Sequence, residues 1–159
     1  MVHHIRAQDS NYETLDDVDA FTGTGPDTLI VDNGASLIAS GASADGAFLL
    51  DPWTATINGV VAGLATGSFG ISLHETNNNN STASTIKIGA SGDVFGDDTG
   101  IFVAYSTGND HVSVTNLGIV SGGTNSIFSP VQTLVRNAGL LDGSIVLGAA
   151  ADAFINSAK

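Results

Sequence analysis

The 159-residue chain contains no cysteine, which rules out disulfides and thiolate metal sites. It carries only four Lys or Arg against sixteen Asp or Glu. Those four, Arg6, Lys87, Arg136 and Lys159, are scattered along the sequence and form no basic run. The formal net charge of −12 repels phosphate backbones and anionic membranes, so nucleic acid is a poor partner. No apolar run approaches the roughly 18 residues that a membrane-spanning helix needs. The opening MVHHIRAQDS lacks the hydrophobic stretch of a Sec-type signal peptide. A signal already removed, export through a C-terminal signal and retention inside the cell all stay open. Three prolines against twenty glycines point away from a rigid linker and toward tight turns or close backbone approaches.

What the chain does have is enough apolar residue to build a core. Hydrophobic residues make up 42% of it and charged residues only 13%, so the polar surface must consist largely of Ser, Thr, Asn and Gly. The length suits one domain over residues 1–159. Clustered carboxylates gain by sharing a divalent cation, which makes Ca²⁺ the expected cofactor if there is one.

Two nonapeptides, VTNLGIVSG from Val114 and VRNAGLLDG from Val135, repeat the same skeleton 21 residues apart. A looser copy, TINGVVAG, begins at Thr56. Weaker echoes are DTLIVDNGASLIASG from Asp27 and DAFINSA from Asp152. Asparagines recur beside these glycines at positions 33, 58, 116, 137 and 156. The pairs Leu29/Val31, Ile86/Ile88, Val112/Val114 and Ile145/Leu147 alternate with period two, which predicts short strands. A helix is considered only for SNYETLDDVDAF from Ser10, where Ser10 and Glu13 have capping-box spacing. The same segment also reads as an irregular first strand.

Two all-β architectures fit. A right-handed parallel β-helix of five to six coils accounts for the repeats, because equivalent turns stack from coil to coil. In it the aliphatic pair fills the interior, the glycines occupy crowded corners, and the asparagines form an inward hydrogen-bonded ladder. The alternative is a β-sandwich, which needs no recurring motif. Residues 1–26 read as a cap or irregular first coil, and residues 74–85, containing HETNNNNSTAST, as a polar loop excursion. DAFINSAK at the C-terminus reads as the middle of a further coil. The chain is therefore either a piece of a longer rod or a subunit that completes itself by end-to-end strand stacking.

The pattern V-x-N-x-G-x-I/L-x-G at Val114–Gly122 and Val135–Gly143 resembles the coils of bacterial secreted β-solenoids: autotransporter passenger domains and filamentous-haemagglutinin-like adhesins. That resemblance implies an extracellular or cell-surface structural or adhesive protein. GTGPDTL at Gly23 and TGNDHVSV at Thr107 resemble single units of the repeats-in-toxin calcium motif. This second resemblance implies type I secretion, with Asp27 and Asp110 as calcium ligands.

Candidate chemistry is sparse. The acids fall in two clusters, Asp16, Asp17 and Asp19, then Asp93, Asp97 and Asp98. The second cluster suits a Ca²⁺ ion or the paired carboxylates of a polysaccharide-cleaving site, and equally a solvated turn. His3, His4, His74 and His111 have no visible nucleophile beside them, and no catalytic residue is assigned. Trp53 and Tyr105 would stack on sugar rings if exposed, and Asn77, Asn78, Asn79 and Asn80 would form a contacting loop tip. T-x-T pairs occur only at Thr22/Thr24 and Thr54/Thr56, too few for an ice-binding ladder. The reading is a secreted, non-catalytic structural or adhesive β-solenoid that binds itself, a glycan or a cell surface, without inserting in membranes. Two alternatives are a small β-helix module that binds or cleaves an extracellular polysaccharide, and a calcium-stabilised fragment of a repeats-in-toxin-like protein.

Overall fold

A computed structural model describes residues 1–50, 52–74, 83–104, 110–148 and 151–157. Apart from one 3-10 turn at Ala7–Asp9, the regular structure of these residues is all strand. In chain order the strands are β1 (Val2–Ile5), β2 (Asn11–Glu13), β3 (Thr22–Thr24), β4 (Thr28–Val31), β5 (Ser36–Ala39) and β6 (Ala47–Leu50). Next come β7 (Thr54–Ile57), β8 (Val60–Gly63), β9 (Phe69–His74), β10 (Ala83–Ile88), β11 (Asp93–Gly96) and β12 (Thr99–Val103). The last five are β13 (His111–Asn116), β14 (Ile119–Ser129), β15 (Gln132–Asn137), β16 (Leu140–Leu147) and β17 (Ala153–Asn156).

Pairing skips regularly along the chain. The first sheet has seven strands in the order β1-β4-β7-β10-β13-β15-β17. The second runs β2-β5-β8-β11-β14-β12-β9-β6-β3, with β16 also on β14, and one of the two sheets curls strongly into a half-barrel. The two runs of the second sheet's order meet at the 11-residue β14. Its first part, Ile119–Gly122, pairs β11, and its later part, Asn125–Phe128, pairs β12. All pairings among the described residues are parallel, so the sandwich alternative falls, because a sandwich is made of antiparallel sheets.

Three files of aliphatic side chains run across the strands and meet in one core. Leu29, Ala55, Ile86, Val114 and Val135 are successive partners in the first sheet. Leu37, Val61, Val94 and Val120 form the second file, and Ala47, Ile71, Ile101 and Ile127 the third. All are 1% exposed or less. Each buried large aliphatic contributes about 1.5–3 kcal/mol. The alternation in the sequence at Leu29/Val31, Ile86/Ile88 and Val112/Val114 is thus the alternation of the pleat.

The nonapeptides lie side by side in register: Val114 opposite Val135, Asn116 opposite Asn137, Ile119 opposite Leu140. Their asparagines form the expected ladder. Asn116 Nδ2 donates to Asn137 Oδ1 at 2.8 Å, and Asn137 Nδ2 donates to Asn156 Oδ1 at 3.1 Å. Both glycines are required by close approach. A Cβ on Gly118 would lie 2.2 Å from the carbonyl oxygen of Gly92, and one on Gly122 would lie 2.0 Å from that of Asn125.

Three expectations need correction. Only the second residue of each aliphatic pair is inside: Val120 is fully buried while Ile119 is 39% exposed, as period two demands of neighbours. The looser copy at Thr56 is offset by one residue, so Ile57, through Ile88, occupies the file that Asn116 continues. A one-residue offset turns a side chain to the other face, and Asn58 therefore stays out of the ladder. Finally, no helix forms over Ser10–Phe21. Asn11–Glu13 instead pairs β5, and Leu15 and Val18, the supposed apolar face, are 62% and 41% exposed.

Candidate functional site

The residues singled out by the sequence are not brought together. Asp27 accepts from the Met1 amine and lies 3.2 Å from His3 Nε2. Asp110 is buried just before β13. Asp93 begins β11, where burial raises its carboxyl above the usual range, while Asp97 and Asp98 follow the far end of that strand. There the Asp97 amide donates to Gly63 and the Asp98 carbonyl accepts from Thr124 and Asn125. No group of three or more metal-ligating side chains occurs among the described residues. Trp53 is 1% exposed. Its indole N–H donates to the Leu50 carbonyl at 2.9 Å, and its ring meets Phe21 edge-on at 5.9 Å. It fills a corner of the core. Tyr105 and Asn77–Asn80 lie outside the described residues, as does most of the 74–85 excursion.

A polar cluster that sequence reasoning missed lies where β3, β6 and β9 meet. Asp19 Oδ1 accepts the amide of Asp45, and Asp45 Oδ1 accepts the amide of Phe69, both at 2.8 Å. Each carboxylate thus caps the backbone of the next strand layer. The other oxygen of Asp45 accepts from the Ser72 hydroxyl. Asp45 is 5% exposed, and burial, reinforced by the nearby Asp19 charge, pushes its carboxyl up to about 6 against the pull of these hydrogen bonds. Burial also raises Asp19. His74 is pushed down by burial, with Asp19 pulling it back. Its ring stacks on Phe48 at 4.5 Å, and Phe102 stacks between Phe69 at 4.2 Å and Phe128 at 5.4 Å. These rings cover one another's faces. Ser72 is fully buried and turned to Asp45, so what the cluster supplies is structural: buried hydrogen bonds between layers.

The outer face of the first sheet has a different character. Its seven strands, VHHI, TLIV, TATI, ASTIKI, HVSVTN, QTLVRN and AFIN, contain no Asp or Glu at all. They hold Lys87 and Arg136, two of the chain's four Lys or Arg, together with three of its four histidines. Thr56, Lys87, Thr115 and Arg136 are consecutive partners in one outward file. Beside it run Thr28, Thr54, Thr85 and Ser113. A cavity of about 400 Å³ opens on this face between His111, Ser113, Gln132, Leu134 and Ala153. No protein-family model, curated protein or solved structure matches the chain. Its class is accordingly set by the strands: an all-β protein of parallel sheets.

Proposed function

We propose that the chain is a right-handed parallel β-solenoid of about six coils that acts as a non-catalytic scaffold, working through its outer faces rather than through an enclosed site. The observation that carries this reading is the pairing order. Thr28 pairs Thr54, which pairs Thr85, which pairs Ser113, with intervals of 26, 31 and 28 residues, so successive lengths of chain lie one above another. The buried polar groups support the same reading, because the Asp45–Ser72 pair and the asparagine ladder join neighbouring layers to each other. The resemblance of the nonapeptides to secreted adhesin coils would place such a scaffold outside a bacterial cell.

In this reading the first sheet presents strand edges at β1 and β17, each paired on one side only among the described residues, and such edges are templates for a further strand. The test is light scattering over a range of concentrations, with electron micrographs of the same samples. Rods that lengthen with concentration support a scaffold that stacks end to end. A compact, protease-sensitive species with no regular elongation at any concentration sinks the scaffold reading.

A further inference from the structure

We propose that the outer face of the first sheet, whose strands carry no Asp or Glu, binds an acidic polysaccharide along the Lys87–Arg136 file. The inference rests on the scaffold reading and adds the ligand class and its residues.

The charge distribution is the first argument. Sixteen acids are spread over the chain, yet none falls in the seven strands of this sheet; the Asp32 carboxylate that bonds His4 in the same outward file lies at the β1 edge, three strands from Lys87. Lys87 and Arg136 are both exposed. The salt bridges among the described residues involve only Met1, His3 and His4, so these two cations keep their charge available. They sit two strands apart, about 10 Å at the usual strand spacing, with Thr115 between them.

The second argument is the chemistry of the neighbours. Thr54, Thr85, Ser113 and Thr115 each offer a hydroxyl that both donates and accepts, and Gln132 adds an amide at the cavity. Hydroxyls and an amide in register match a ligand that is itself a chain of hydroxyls. The cavity beside the file gives that ligand a concave seat.

The third argument is charge density, which selects among polyanions. A nucleic-acid strand carries a phosphate about every 3.4 Å, far denser than two cations about 10 Å apart can meet. A polysaccharide with its anionic groups separated by whole sugar rings matches the spacing. The molecule's overall −12 opposes any anion at long range. At physiological ionic strength the screening length is about 8 Å, so contacts within the file act locally.

The experiment is affinity electrophoresis of the 159-residue chain at physiological ionic strength through gels containing polygalacturonate or neutral dextran, with a single-stranded polynucleotide as a further comparator. Retardation by polygalacturonate, and none by dextran, is expected. The Lys87→Ala/Arg136→Ala double variant should lose at least tenfold in affinity while its circular dichroism and melting temperature stay unchanged, since both side chains are exposed. Lys87→Arg should retain binding. The proposal is overturned by no retardation in polygalacturonate, by equal retardation in dextran or the polynucleotide, or by a double variant that binds as well as the parent. It is also overturned if the double substitution abolishes self-association instead, which would make a second copy of the chain the occupant. Absence of polysaccharide binding with rods still formed would leave the scaffold reading intact.

Discussion

Replacing Asn137 by alanine should cost about 3 kcal/mol of folding stability. Asn137 is 5% exposed. Its side chain accepts from Asn116 at 2.8 Å and donates to Asn156 and to the Gly139 carbonyl, both at 3.1 Å. The bonds to Asn116 and Gly139 contribute about 1 kcal/mol each, and the bond to the exposed Asn156 less. Alanine also leaves one N–H of the buried Asn116 amide without its acceptor, a penalty of about 1–3 kcal/mol, although Asn116 keeps its bond to the Leu140 carbonyl. Asn58→Ala is the control, because that asparagine belongs to the offset copy and lies outside the ladder; it should change stability by less than about 0.5 kcal/mol. Urea unfolding followed by far-ultraviolet circular dichroism reads both. With a slope of about 2 kcal/mol/M, Asn137→Ala moves the midpoint down by about 1.5 M. Equal midpoints for the two variants, or an Asn137→Ala midpoint at the parental value, would refute the ladder as a stabilising element.

Asp45 makes a contribution that depends on pH. Its folded carboxyl lies near 6, above an ordinary unfolded aspartate, so the folded state binds the proton more tightly and this group's stability is lost as pH rises through about 6. Acidifying from pH 7 to 4 should therefore gain about 2–3 kcal/mol from this residue, and Asp45→Asn should remove the gain in melting scans across pH. His74 has the opposite sign. Its folded pKa is lowered, so its stability is present above the unfolded value near 6.5 and falls on acidification. His74→Phe, which keeps a ring on Phe48, should flatten that loss. Gly122→Ala should destabilise by more than about 2 kcal/mol, measured by the same urea titration, because the new Cβ would overlap the Asn125 carbonyl oxygen.

Much of the strand pattern could be read locally. Leu29/Val31 and Ile86/Ile88 alternate because one face of each strand is buried, and a period of two is visible within four residues. The ladder at Asn116, Asn137 and Asn156 could be read because the two nonapeptides share spacing to the residue. Asn58 could not, since its copy differs by a single position, and a position is the whole difference between inside and outside. The helix considered over Ser10–Phe21 failed for a similar reason: its i, i+3, i+6 apolar residues needed a core to face, and pairing of Asn11–Glu13 with β5 left Leu15 and Val18 in solvent.

By itself the sequence determined what depends on near neighbours: short alternating strands, turns rich in Gly and Asn, a cysteine-free acidic chain, and a repeat whose two clearest copies had to lie side by side. Tertiary structure alone decided what depends on pairing at a distance of 20 to 30 residues. It brought Asp45 of one turn beneath Ser72 of another, 27 residues on, raising a carboxyl that nothing in its local sequence marks. It also gathered seven acid-free segments, none remarkable on its own, into one face where Lys87 and Arg136 share a file. Side-chain orientation is a local property of the pleat, but the company each side chain keeps is a property of register, and register is set only when the whole chain has paired.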